Sequence, residues 1–345
     1  MSRRAIARAL GIALLVVAPG PAEGQREGAP GRDLAQTSDF WREVRRPGFR
    51  RAYELVAQAE RLEMRRAREQ PTHPDYVRAV LRERAIVRLE RARELAPEEP
   101  FILFFLGSLL ALHEMPGVPG TEPLRRIDDA IEVLEELRTR APDFAPGRAE
   151  LQLALLYGRR GDRERSIALY AECVDRCFDR RTRAQAAGNM AEELMLSGRL
   201  VEALGRYRQA AAFSRRRSGD LLALQLAHWG MALCRDRLGE HADALDEAET
   251  ALGLGNGMEV LVSEGVFFEP ASELRAYQGL GHLAAARASR GRERRGHLRR
   301  AVQSWRAYLR LAPAGDPWRG LAERHLAEAR DALTAAEAER VREGP

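Results

Sequence analysis

RAQAAGNMAEELMLSGRLVEALGRYRQAAAFS, residues 183–214, and LLALQLAHWGMALCRDRLGEHADALDEAETAL, residues 221–252, decide how this chain folds. Each reads as a helix, a Gly-centred turn and a second helix. The turns are Ser197-Gly198-Arg199 and Leu238-Gly239-Glu240. After the first turn Ala203, Tyr207 and Ala210 recur at offsets of four and three, and after the second Ala244, Ala248 and Ala251 recur at four and three. Those offsets put each set on one helical face. Met190, Ala191 and Leu194 do the same before the first turn. Gly198 and Gly239 stand where a helix ends in a left-handed residue, a conformation Gly takes without strain. One such pair cannot bury its apolar face alone, so neighbouring pairs must stack.

This pattern resembles the tetratricopeptide repeat (TPR). Leu106-Gly107 before the 115–122 loop, Leu153-Ala154 and Tyr157 before Gly161-Asp162, Tyr170 and Cys173 after it, and Tyr277 with Leu280-Gly281 extend the resemblance over Phe101 to Pro313. Residues 50–97 match it more loosely. From Gly161 to Gly198 is 37 residues and from Gly198 to Gly239 is 41, longer than the usual ~34, as in repeats with extended helices. The resemblance implies an all-α protein, a right-handed TPR-like superhelix (α-solenoid) of antiparallel helix pairs. The pairs are expected near 50–97, 100–142, 145–178, 182–214, 219–252 and 271–313, with a capping helix at 317–341, so that 41–345 is one repeat domain. Terminal repeats need a polar outer surface, which the Ala-, Glu- and Arg-rich last segment supplies.

The N-terminus has a different character. Arg3, Arg4 and Arg8 surround the start of ALGIALLVVA, residues 9–18, followed by Pro19-Gly20-Pro21-Ala22. That is a signal peptide over 1–22, with an apolar run too short to span a bilayer comfortably. An uncleaved membrane anchor is the alternative. Residues 23–40, rich in Gly, Pro, Gln and Asp, read as a disordered linker. The expected location is periplasmic or secreted, and any membrane contact runs through this segment.

The chain of 345 residues carries a net charge of +5, and all 56 of its basic residues are Arg. Removing 1–22 takes away three Arg and no acid and leaves +2. A chain so near neutrality is a poor nucleic-acid binder by bulk charge. The basic knots at Arg215 to Arg217 and Arg292 to Arg300 fall at predicted turns and read as solvated helix-end charge or as contacts for an acidic partner.

No catalytic constellation emerges, so no enzyme activity and no cofactor is expected. His73, His113, His228, His241, His282, His297 and His325 form no His-Glu-x-x-His motif and no close His/Cys cluster, so spacing indicates no metal site. Gly253-Leu254-Gly255-Asn256-Gly257 lacks the dinucleotide spacing and a phosphate-loop Lys, and reads as a helix stop. Cys173 and Cys177, one turn apart, are either a disulfide or buried small hydrophobes, and Cys234 is the third.

The function this implies is protein or peptide binding on the concave face. By phase, Gln152, Leu155, Gln185, Glu192, Trp229, Leu233 and Asp236 line that groove. Trp229 is the expected anchor, because it is out of phase with the Met231-Ala232 doublet; packing between adjacent pairs is the alternative. Glu192 and Asp236 would favour a basic or mixed partner. Asn189 alone fits the Lys/Asn clamp by which some TPR domains hold a terminal carboxylate. The rival readings are an enzyme or enzyme subunit with a site at 253–270, and a membrane-tethered assembly factor. Partner identity and oligomeric state are not written in the residues.

Overall fold

A computed structural model describes residues 48–68, 75–115, 124–214, 221–263, 266, 268 and 270–343. The expected signal peptide and linker, Arg215 to Arg217, residues 116–122 of the expected loop, and positions 264, 265, 267 and 269 lie outside the described residues. The described chain divides into two compact units, one ending at Asp162 and the other starting at Arg163. The division falls inside the expected pair at 145–178.

The first unit holds α1 (Phe49–Arg68), α2 (Asp75–Leu95), α3 (Pro100–Ala111), α4 (Ile127–Arg140) and α5 (Arg148–Arg160). Each helix packs on the next, and α3 also meets α5. Helix α3 starts on Pro100, where a missing N–H is harmless. It buries Ile102, Leu103, Phe105, Leu106, Leu109 and Leu110, so it is enclosed on most faces as its composition demands. Two short strands, β1 (Glu114–Met115) and β2 (Leu124–Arg125), pair antiparallel at the ends of the expected 115–122 loop, with Glu114 opposite Arg125. Apart from this bridge, the regular structure among the described residues is helical.

The second unit holds α6 (Arg163–Arg176), α7 (Arg180–Leu196), α8 (Leu200–Phe213), α9 (Leu221–Arg237), α10 (His241–Leu252), a 3₁₀ helix (Gly257–Val262), α11 (Glu273–Ala288), α12 (Gly291–Leu311) and α13 (Arg319–Glu343). Successive α-helices pack together, and α9 also meets α7 and α11. That alternation makes two layers, with α7, α9 and α11 in one and α8, α10 and α12 in the other. Ala203, Ala244, Ala248 and Ala251 are wholly buried where the layers meet.

The turns close by one device. Gly198 and Gly239 adopt φ of +76° and +85°. Arg199 N donates to Leu194 O and Gly198 N to Met195 O, while Glu240 N donates to Arg235 O and Gly239 N to Asp236 O. These are the paired 6→1 and 5→2 bonds that satisfy the last carbonyls of a helix, and a side chain would strain the left-handed residue.

Glycines inside helices serve a different purpose, which is close approach. A Cβ on Gly230 of α9 would lie 2.2 Å from the Tyr207 ring of α8. One on Gly279 of α11 would lie 2.5 Å from Trp305 of α12, and one on Gly107 of α3 2.7 Å from Leu134 of α4. A large side chain thus lies directly on a neighbour's backbone, burying most of its surface at ~25 cal/mol per Å².

One expectation fails. Arg292 to Arg300 is no turn but the first turns of α12, which begins at Gly291 (φ +51°). Arg and Glu are good helix formers, no Pro interrupts the run, and Leu298 is buried, so the segment gains by staying helical.

Candidate functional site

Helix α7 begins at a strong cap. Asp179 accepts hydrogen bonds from Thr182 N at 2.9 Å and Arg181 N at 3.4 Å, a contact worth about 1 kcal/mol. From there Gln185, Asn189 and Glu192 follow at offsets of four and three and share one part-exposed face. Asn189 bonds the buried hydroxyl of Tyr170 on α6, so its amide already has a partner, which weakens the carboxylate-clamp expectation. Burial, reinforced by the nearby charges of Glu273 and Glu193, pushes the Glu192 carboxyl up to about 8. At neutral pH it is mostly protonated, so the stripe offers two amides and a neutral carboxyl. That counts against the acidic character expected of the groove at Glu192.

On α9, 41 residues on, Leu226, Gly230 and Leu233 take the places of Gln185, Asn189 and Glu192, and the last two are buried. Trp229 is 1% exposed and Leu233 is equally buried. A Cβ on Gly281 of α11 would meet Trp229 Cη2 at 2.7 Å and Met258 Sδ at 2.8 Å, so the indole lies on the α11 backbone. Trp229 is a packing residue and not a surface anchor. Arg237 makes a buried ion pair with Glu273 at 2.7 and 2.8 Å and lies 5.0 Å from the Trp318 ring. The entry to α13 therefore reaches across the end of α9. In the first unit Gln152 is also buried, donating from Nε2 to Ser108 Oγ at 2.8 Å, while Leu155 remains part-exposed.

Asp236, also expected in the groove, is 2% exposed and sits between two histidines. His241 Nδ1 lies 2.8 Å from Oδ1, and His325 Nε2 lies 2.9 Å from both carboxylate oxygens. The imidazoles stack at 4.7 Å, and the Trp305 ring lies 4.8 Å from His325. Burial works against Asp236 ionisation, but the bonds from His241 and His325 hold its carboxyl below the ordinary carboxylate range. The Asp236 hydrogen bond raises His241 in turn. The three offer one carboxylate oxygen and two ring nitrogens within 4.8 Å of one another. Sequence spacing missed this group because His325 lies 89 residues from Asp236. The one local clue was His241, five residues past Asp236 across a helix-reversing Gly.

The described residues of the remaining sequence candidates lie in the packing. Cys173, Cys177 and Cys234 are buried, and the first two form no disulfide with each other. In the 253–270 segment Val260 and Leu261 are buried, and the 3₁₀ helix packs on α9, α10 and α11. Gln225 Nε2 pins it by donating to the carbonyls of Ala251 at 2.9 Å, Leu254 at 2.5 Å and Gly257 at 2.8 Å.

No family model matches the chain, and no curated protein matches it. Solved structures do show similarity. One is a crystal structure of MamA protein, 14% identical, covering 63% of this chain and 99% of that one at a TM-score of 0.43. Another is a tetratricopeptide repeat protein from Parabacteroides merdae, 14% identical, covering 84% and 97% at 0.38. A third is the APC/C hetero-tetramer Cut9-Hcn1, 15% identical, covering 83% and 52% at 0.43. By its own packing, with helix pairs closed by left-handed Gly turns and first-helix glycines under large side chains, this chain is an all-α helical-repeat protein.

Proposed function

We propose that this chain is a non-catalytic, protein- or peptide-binding helical-repeat scaffold of the cell envelope. The observation that carries the reading is the α7 stripe of Gln185, Asn189 and Glu192, polar and part-exposed on a layer whose next helix is closed. Uncharged donors and acceptors in a row suit the main chain of an extended segment better than a charged side chain. The enzyme alternative at 253–270 draws less support, since Val260 and Leu261 belong to the repeat packing.

The test is site-specific photocrosslinking in envelope extracts. A photoreactive side chain at Gln185 should give a discrete adduct. One at Val201, exposed on α8 of the other layer, should not. Equal adducts at both positions, or none at Gln185, would overturn the reading.

Export is proposed on the Arg-flanked apolar run at residues 9–18 and the small residues after it. Among the described residues no helix is long and apolar enough to cross a membrane. Sequencing the N-terminus of envelope-fraction protein should find cleavage near Ala22. An intact Met1 in the membrane fraction would instead support the tethered form, and an intact Met1 in the cytosol would refute export.

A further inference from the structure

We propose that Asp236, His241 and His325 bind a divalent transition-metal ion of the zinc class. The ligands come from the end of α9, the start of α10 and the second turn of α13, and their donor atoms converge within 4.8 Å. Zinc takes nitrogen and oxygen ligands at about 2.0–2.2 Å in a tetrahedron, which sets neighbouring donors about 3.3 Å apart. The 2.8 and 2.9 Å separations from Asp236 need open by a few tenths of an ångström, and the two ring nitrogens, within 4.8 Å of each other, need close toward the same spacing. Two imidazoles and one carboxylate suit zinc, cobalt or nickel, whereas calcium and magnesium want oxygen.

A second observation points the same way. A metal-bound His usually has a carboxylate, carbonyl or water at its other ring nitrogen, which fixes the ring. His325 Nδ1 lies 3.4 Å from Glu328 Oε2, while the Trp305 and His241 rings hold the imidazole in place. His325 is 3% exposed, but the His241 side chain is 38% exposed. An ion can therefore enter from the His241 side, and water can complete its coordination there. Bound, it would tie α13 to the α9–α10 turn.

The experiment uses the metal-free full chain without a histidine tag, titrated with Co²⁺ and followed by visible d–d absorption. The expected result is saturation at one ion per chain with the intense bands of low coordination, displaced by Zn²⁺. His241→Ala, at the exposed edge, should weaken binding by about 10-fold or more, and Asp236→Asn should do the same. His228→Ala, elsewhere on α9 with its ring paired to Glu247 of α10, should leave the titration unchanged. Circular dichroism establishes that each variant is folded, and His241→Ala decides the matter if Asp236→Asn is not. The proposal is overturned by absence of the bands, by a titration indifferent to His241→Ala, or by loss of the bands in His228→Ala.

Discussion

Helices α7 and α9 occupy the same layer in successive repeats, with Leu233 in the place of Glu192, yet the polar stripe of one stays open while the expected groove residues of the other do not. On α7, Gln185, Asn189 and Glu192 retain solvent contact. On α9, Trp229, Leu233 and Asp236 are buried, because the α11 backbone lies against the indole and Trp318 and His325 of the C-terminal segment reach the end of the helix. Position within a repeat therefore sets which way a side chain faces, and later chain decides what it meets there. An aromatic that looks like a binding anchor by phase is here a packing element.

The largest test of that contrast is Trp229→Ala. It should destabilise by about 3–5 kcal/mol, the range for truncating a buried Trp, read as a lower denaturant midpoint. Unchanged stability would mean the α9 face is open after all.

On the α7 side, Glu192→Gln should stabilise, by on the order of 1–3 kcal/mol at alkaline pH. Full conversion of the raised pKa would be larger, but the side chain keeps some water contact. The sign follows from linkage. The folded carboxyl holds its proton up to about 8, whereas the unfolded one releases it near its ordinary value. Wild-type stability therefore falls as pH rises between those limits, while the Gln variant is spared this loss. Urea unfolding of both proteins at about pH 5 and about pH 9 should show the gap widening with pH. A constant gap would mean Glu192 is not withdrawn from water.

Two glycines sharpen the comparison further. Gly230→Ala drives a Cβ into the Tyr207 ring and should cost about 1–3 kcal/mol by overpacking. Gly205→Ala, on α8 with no side-chain or neighbouring backbone atom within 4 Å of the added Cβ, should stabilise by about 0.4–1 kcal/mol through the unfolded chain. Thermal unfolding of the pair should move in opposite directions.

The smallest stability effect is expected at Gln185→Ala, within about ±0.5 kcal/mol as for an ordinary surface change. Crosslinking yield from a neighbouring α7 position should nonetheless fall. Retained yield would move the contact off the stripe.

Much of the architecture was legible before any coordinates. The turn glycines at 198 and 239, the buried alanines at 203 and 244, and the Leu106-Gly107 and Leu280-Gly281 doublets all lie where their spacing implied. The candidate site was less legible. Gln185 and Glu192 are part-exposed as phase predicts, but Trp229, Leu233, Asp236 and Gln152 are not. The Arg292 to Arg300 run reads as a turn only if charge is weighed above helix propensity.

By itself the sequence determined what local energetics control: helix period, the left-handed Gly positions and the small residues that permit close contact. Each depends on atoms within a turn or two along the chain. Only the tertiary structure decided which faces are covered, how Glu192 is partly withdrawn from water, and that Asp236 meets His325 from 89 residues away. Those outcomes depend on which later segment docks where, and no periodicity within one helix records it.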